Sequence, residues 1–207
     1  MRGRFITVEG GEGAGKSTLM DRIAGWLEDR GQSVIKTREP GGTELAERIR
    51  ELILSDAHTT LSDQAELLLL FAARAQHLDE LIRPALVRGE TVLCDRFTDA
   101  TWAYQGGGRK MSRAMIGRLE EMVHGDLQPD LTLLLDLPVE IGLDRASQRG
   151  QADRIEQEPV DFFQRVRSAY LQRAREHSGR FAIIDASVGV AQVWSQVEQV
   201  MQKRLGS

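Results

Sequence analysis

The stretch Gly10-Gly11-Glu12-Gly13-Ala14-Gly15-Lys16-Ser17 constrains this chain more than any other. It follows a short apolar run, Phe5-Ile6-Thr7-Val8, and precedes a helical pattern carrying Leu19, Ile23, Trp26 and Leu27. Strand, glycine loop and helix with the spacing G-x-x-x-x-G-K-[ST] make a phosphate-cradling loop. Glycines let successive backbone N–H groups turn inward with no Cβ in the way. Those groups, with the positive start of the helix, hold phosphate oxygens. Lys16 is then placed to reach the β- and γ-phosphates, and the Ser17 hydroxyl to ligate Mg2+. A glycine-rich turn with a chance lysine is the alternative, and it does not account for the flanking strand and helix. The loop points to a nucleoside triphosphate and leaves open what is done with it.

Five apolar runs read as buried strands: Phe5–Glu9, Ser33–Thr37, Thr91–Asp95, Leu131–Asp136 and Phe181–Asp185. Amphipathic segments separate them, the βαβ pattern of a parallel sheet with helices on both faces. The expected fold is therefore α/β, three layers deep (α/β/α), with a five-stranded parallel sheet and mostly helical surroundings. At 207 residues the chain is expected to form one domain over 1–207. Ligands of open parallel sheets sit beyond the carboxyl ends of the strands, where Glu9, Arg38-Glu39, Asp95-Arg96, Asp136 and Asp185 gather. A net charge of −4 argues against a broad nucleic-acid-binding surface. The single cysteine, Cys94, has apolar neighbours and reads as a buried packing residue. No signal-peptide core precedes the first strand, and the longest apolar run, Leu67 to Ala73, is too short to cross a bilayer. A cytoplasmic location is expected.

Further along, Arg38-Glu39-Pro40-Gly41-Gly42-Thr43 marks a tight loop with Thr43 as a helix cap. A helical segment from Ser62 to Arg88 begins with a cap, and Pro84 is expected to kink or end it. Within it Phe71 and Arg74 share a face. Two readings fit: a ring to stack on beside a planar donor fork for a base carbonyl, or a core phenylalanine with an arginine that reaches solvent or an acid. Asp95 at the tip of a buried strand resembles a Walker-B acid that holds Mg2+, with Arg96 beside it to grip a phosphate; a structural Asp–Arg pair would look the same. Thr101, Tyr104 and Gln105 fall at i, i+3 and i+4 before a glycine hinge. Arg145, Arg149 and Arg154 around Gly150 fit either a solvated helix face or a lid, at about 145–156, that closes over a triphosphate.

With these pieces in place, the sequence closely resembles the bacterial-type thymidylate kinases of the P-loop nucleoside monophosphate kinase superfamily. The match is collinear from about residue 4 to residue 188. It rests on Val8-Glu9-Gly10 with the phosphate loop, Thr37 to Thr43, Phe71-Ala72-Ala73-Arg74, Asp95-Arg96-Phe97, Ala103-Tyr104-Gln105-Gly106-Gly107-Gly108 and Asp153-Arg154-Ile155-Glu156. The phosphate loop alone is shared by many families; the set together is specific.

The resemblance implies transfer of the γ-phosphoryl group of MgATP to dTMP, and a homodimer. It implies that ATP is held by Gly10, Gly11, Glu12, Gly13, Ala14, Gly15, Lys16, Ser17 and Thr18, with Arg145. It places Phe71 against thymine, Arg74 on the base carbonyl O4, Thr101 and Gln105 elsewhere on the base, and Tyr104 against the 2′ position of the sugar. Arg96, with Arg38, Glu39 and Arg50, organises the acceptor phosphate, and Asp95, Ser17 and Glu9 manage Mg2+. Lys16, Arg96, Arg149 and Arg154, with Glu12, are the implied catalytic set. The eukaryotic type has an arginine in its phosphate loop, whereas this chain has Glu12 there. The expected answer to that acid is the lid pair Arg149 and Arg154. Many family members carry the stacking aromatic four residues before the arginine; here Leu70 holds that place and Phe71 stands at three. Two other readings fit a phosphate loop: a P-loop kinase acting on a different nucleoside or nucleoside monophosphate, and a GTPase-like binding switch. The switch lacks support because no N-K-x-D guanine signature is present.

Overall fold

The computed structural model describes residues 2–54, 61–148 and 153–205. Five strands form one parallel sheet: β1 (Phe5–Gly10), β2 (Val34–Arg38), β3 (Thr91–Asp95), β4 (Leu131–Asp136) and β5 (Phe181–Asp185). Their spatial order is β2-β3-β1-β4-β5. β1 is central, buried along its whole length, and paired with β3 on one side and β4 on the other. Strand order reverses there, so the crevice beyond the end of β1 is the topological switch point where such sheets bind ligands. The glycine loop leaves from that end.

The helices cover both faces. On one side α1 (Lys16–Glu28) and α9 (Val190–Leu205) bury Ile23, Leu27, Val197 and Met201 against Ile6, Val8 and Leu133. On the other, α8 (Val160–Glu176) packs Phe162, Phe163, Val166 and Tyr170 against Leu134 and Tyr104. α2 (Glu44–Leu54) and α3 (Asp63–His77) pack together beside the carboxyl end of the sheet. The expected caps are present: Ser62 Oγ accepts from the Ala65 amide at 3.3 Å, and Thr43 Oγ1 from the Ala46 amide at 3.4 Å. Cys94 is fully buried, as its neighbours implied.

Two helical segments depart from simple α geometry. After α3 the chain passes through a π-helical turn, Leu78–Ile82, and then α4, Arg83–Val87. Pro84 has no N–H to continue the ladder. Instead of breaking there, the helix widens, and the Arg83 amide bonds back to Leu78 O. The second widening follows α5 (Thr98–Thr101): Trp102–Gly108 is π-helical and ends with the Arg109 amide on Tyr104 O. Such bulges turn side chains out of the ordinary helical register and recur at functional sites. This one carries Tyr104 and Gln105. α6 (Arg113–Val123) and α7 (Val139–Ser147) complete the described elements.

Candidate active site

One cleft runs from the glycine loop to α3. Its lining includes Lys16 and Ser17 at one end, Asp95 and Arg96 in the middle, and Leu70, Arg74 and Gln105 at the other. At the loop end Gly10, Gly13 and Gly15 have φ of 146°, 66° and 86°, values that L side chains rarely adopt. The loop is also closely packed from behind: a Cβ on Gly13 would lie 2.0 Å from Gly142 O of α7. Only glycine fits there. Lys16 Nζ donates to Gly10 O at 3.2 Å and Gly11 O at 3.0 Å, curling over the loop. Ser17 and Thr18 stand exposed on the first turn of α1, where unpaired amides and the helix dipole favour an anion.

In the middle of the cleft Arg96 adopts φ 68°, a left-handed conformation for a residue with a Cβ. That conformation costs about 1–2 kcal/mol, so surrounding contacts must enforce it. The Arg96 amide donates to Val8 O at 3.0 Å, and the next amide, Phe97, donates to Glu9 Oε1 at 2.7 Å. Tyr170 donates its hydroxyl to Glu9 Oε2 at 2.7 Å. Glu9 was expected beside a metal, but both of its oxygens are engaged and it is fully buried. It holds the turn that aims Arg96. Burial pushes its carboxyl up to about 8, with the Asp99 charge adding and Tyr170, Arg96 and the Phe97 amide opposing.

Asp95 differs. Its Oδ1 is buried and has no hydrogen-bond partner among the described residues, and an unpaired buried carboxylate oxygen needs a ligand or an ion. Arg96 Nη2 donates to Glu12 Oε1 at 2.9 Å, and the Tyr104 hydroxyl donates to the same oxygen at 2.6 Å. Among the described residues Glu12 is therefore met by Arg96 and Tyr104, while Arg154 of the expected lid lies elsewhere. Arg149 lies outside the described residues.

At the far end Arg74 is 3% exposed. Its Nε donates to Glu39 Oε2 at 2.7 Å and its Nη2 to Thr101 Oγ1 at 3.1 Å. Its Nη1 is buried with no hydrogen-bond partner among the described residues. Glu39, expected near the acceptor phosphate, lines the cleft with Arg50 and Arg96, anchors Arg74 and lies 3.1 Å from His77 Nδ1. Burial raises the Glu39 carboxyl, but Arg74 and His77 outweigh that and hold it below its ordinary value. Phe71 does not line the cleft. It is buried against Leu67 and Ile116, and Leu70, one residue earlier, lines the cavity wall. The helical stripe 66, 70, 73, 74, 77 faces inward, and Phe71 falls on the next stripe. The Arg74 guanidinium nevertheless lies 4.8 Å from the Phe71 ring centroid, so the pair is real but the ring supports the arginine from behind.

Arg50 lines the cleft and donates to Pro40 O at 2.9 Å. Arg38 sits in an open groove shared with Ser17 and Asp95, paired with Glu47 at 2.8 Å. Arg145 donates to Ala186 O at 2.9 Å and lies outside the cleft lining. Arg154 donates Nε to Ile53 O at 2.9 Å and Nη2 to Glu66.

The thymidylate kinase family model matches residues 8–197. The chain belongs to the thymidylate kinase family. It is 58% identical over 205 residues to the thymidylate kinase of Pseudomonas savastanoi pv. phaseolicola, covering 99% of this chain and 98% of that one. It is 56% identical over 201 residues to that of Pseudomonas entomophila, covering 97% and 96%. The crystal structure of thymidylate kinase from Ehrlichia chaffeensis superposes with a TM-score of 0.78 at 31% identity, covering 98% of this chain and all of that one. The kinase fold, with its five-stranded parallel sheet and glycine loop, is thus the one its sequence implied.

Two side chains that the sequence reading passed over hold the kinase cleft together. His77 links Glu39 to Thr37, its Nε2 lying 2.7 Å from Thr37 Oγ1. Glu66, buried in α3, meets Gln105, Arg109 and Arg154. The signal for both was their phase: an acid eight residues before Arg74 and a histidine three after it lie on the inward stripe of an otherwise apolar helix.

Proposed function

We propose that this kinase transfers the γ-phosphoryl group of ATP to dTMP, giving dTDP and ADP. One observation carries the acceptor assignment: Arg74 lines the cleft, and its buried Nη1 has no partner among the described residues. A buried guanidinium N–H without a partner is costly, and a base carbonyl between Leu70 and Thr101 satisfies it. The thymine O4 is such a group.

Mg2+ belongs to the reading. The unpaired Asp95 Oδ1 and the Ser17 hydroxyl would hold it together with phosphate oxygens, and it would neutralise charge on the β- and γ-phosphates. Among the described residues no cluster of three or more acidic, histidine or cysteine side chains forms a self-contained metal cage. An ion held largely by substrate phosphates needs none.

The chemistry asks for positioning and charge stabilisation more than covalent catalysis. A phosphate monoester has a second pKa of about 6, so the dTMP phosphate is already nucleophilic and no general base is required. Arg96, held in its left-handed conformation, aims the acceptor phosphate, with Arg50 and Arg38 nearby. Lys16, curled on the loop carbonyls, swings to the γ-phosphate. The lid at about 145–156 supplies Arg149 and Arg154, the latter after leaving Glu66, and Arg145 flanks the nucleotide. Tyr104, pinned to Glu12, crowds the 2′ position and favours deoxyribose. The kinase acts in the cytoplasm as a homodimer, for which exposed Leu68 on α3 and Met115 and Met122 on α6 supply apolar surface. No helix among the described residues is long and apolar enough to cross a membrane.

Acceptor-dependent ADP release across dTMP, dUMP, dCMP, AMP and thymidine tests the reading. Activity is expected to be highest with dTMP and lower with dUMP. Activity confined to AMP or to thymidine would overturn it.

A further inference from the structure

Behind the cleft, Glu66 is 1% exposed and receives four donors. Gln105 Nε2 donates to Oε1 at 2.7 Å, Arg109 reaches Oε1 with Nε at 3.4 Å and Oε2 with Nη2 at 3.3 Å, and Arg154 donates to Oε2. Burial raises the Glu66 carboxyl, but Arg154, Gln105 and Arg109 prevail and hold it below its ordinary value, so it is ionised. An ionised carboxylate accepts hydrogen bonds and donates none. Gln105 must therefore turn its NH2 toward Glu66, because the opposite orientation would set its carbonyl against a carboxylate.

That fixes what Gln105 offers a ligand. Its amide carbonyl accepts no hydrogen bond among the described residues, and Gln105 lines the cleft. Arg74 also lines the cleft, and its Nη1 is a buried donor without a partner among the described residues. A donor beside an acceptor matches a base edge that carries a carbonyl next to a ring N–H, as in thymine and uracil. Cytosine presents an amino donor and a bare ring nitrogen, the reverse at both positions.

We propose that Glu66 is a specificity-determining positioning residue: by locking the Gln105 amide with its carbonyl toward the cleft, it makes the kinase read the carbonyl and N–H edge of the acceptor base and reject the cytosine edge. Arg74 enforces half of that pattern by its own chemistry, since a guanidinium cannot accept. Gln105 enforces the other half only because Glu66 sits behind it. This rests on the assignment of the cleft to dTMP.

The test compares kcat/KM for dTMP and 5-methyl-dCMP, which share sugar, phosphate and methyl group and differ in the hydrogen-bonding edge. Wild-type enzyme that does not use dTMP at all would refute the functional reading itself, before the present inference is reached. With dTMP activity established, Glu66→Gln is expected to narrow the preference for dTMP by about tenfold, mainly through KM, because a flippable amide behind Gln105 lets it donate as well as accept. An unchanged ratio would overturn the inference. Glu66→Asp keeps an acceptor-only group and is expected to keep the preference, which also serves if Glu66→Gln does not fold; a collapsed preference in Glu66→Asp would count against it. Arg154→Ala removes the lid contact of Glu66, leaving those of Gln105 and Arg109, and is expected to lower kcat on both acceptors alike. If it narrowed the ratio as much as Glu66→Gln, the effect would belong to the lid contact and the inference would fall.

Discussion

The two ends of the cleft are built by different means. At the phosphate loop the working groups are backbone amides, aimed by the positive φ of Gly13 and Gly15 and by close packing on α7. At the base end they are side chains, each aimed by a buried acid behind it: Arg74 by Glu39 and Gln105 by Glu66. The first arrangement is mainly local: its turns lie within Gly10–Ser17, and the packing on α7 comes from elsewhere. The second is tertiary, assembled from α2–α3 flanks, the π-helical turn and the lid segment. The difference teaches that side chains at the loop end are separable from the fold, whereas those at the base end are part of its core.

Lys16→Ala separates the two most sharply. Among the described residues Nζ bonds only two loop carbonyls, so its loss removes charge from the moving phosphoryl while leaving packing intact. We expect kcat to fall by about 10^3-fold in steady-state assays, with a thermal midpoint close to wild type. A large drop in that midpoint would break the comparison.

Arg74→Ala should show the reverse mixture. It leaves the Glu39 carboxylate, 3% exposed on its side chain, with His77 as its remaining side-chain partner among the described residues. Breaking a buried pair by removing one partner costs about 3 kcal/mol or more. Urea denaturation should therefore move strongly to lower concentration, alongside a raised KM for dTMP. A variant of unchanged stability would mean that the base end is not part of the core.

The same contrast explains what the sequence made legible. The strands and the glycine loop are contiguous runs whose periodicity or spacing carries their meaning, and they sit where expected, within a residue or so at each end. Cys94, the Ser62 cap and the Phe71–Arg74 proximity were also readable. The inward residue of α3 was not, because choosing Leu70 over Phe71 requires the helix phase, which only packing against Ile116 reveals. Pro84 signalled a disturbance, but a widened turn and a broken helix relieve its missing N–H equally well. Glu9 and Glu39 read as acids at the ligand-binding ends of strands, and Glu66 was marked only by its phase on α3. Each turned out to be a buried acceptor, because the donors that satisfy them are 35 to 161 residues away in sequence. Arg154 reads as a lid residue by motif, while its resting partner, Glu66, lies 88 residues earlier.

A fourth acid tests whether such buried acceptors behave alike outside the cleft. Asp99, beneath the π-helical turn, accepts from Arg173 Nε at 3.0 Å and from Arg180 Nη2 at 2.9 Å. Burial raises its carboxyl, but the two arginines prevail and hold it below its ordinary value of 3.8. The sign follows: the folded state holds the ionised form more tightly, so the contribution is present above the unfolded value and is lost as pH falls through the folded one. Asp99→Asn should cost about 2 kcal/mol near neutral pH. The gap between wild type and variant should close as unfolding is measured at pH below 3.8. A gap independent of pH would show that Asp99 acts by shape rather than charge.

The smallest expected effect comes from a side chain of the groove that reaches neither core. Arg38 pairs with Glu47 across solvent, with side chains 53% and 37% exposed. Its partner does not depend on it, because Glu47 Oε1 also accepts the Gly42 amide at 2.8 Å. Exposed pairs contribute between about 0 and 1 kcal/mol, so Arg38→Ala should leave the denaturation midpoint nearly unchanged. Its proposed contact with the acceptor phosphate should still appear as a KM for dTMP raised several-fold at low salt, and less at high salt, where the Debye length falls to about 3 Å at 1 M. Arg38 would then act on the acceptor as Lys16 acts on the donor, separable from the fold. A marked loss of stability in Arg38→Ala would instead place it with Arg74, and would move the boundary between the two modes of construction to the edge of β2.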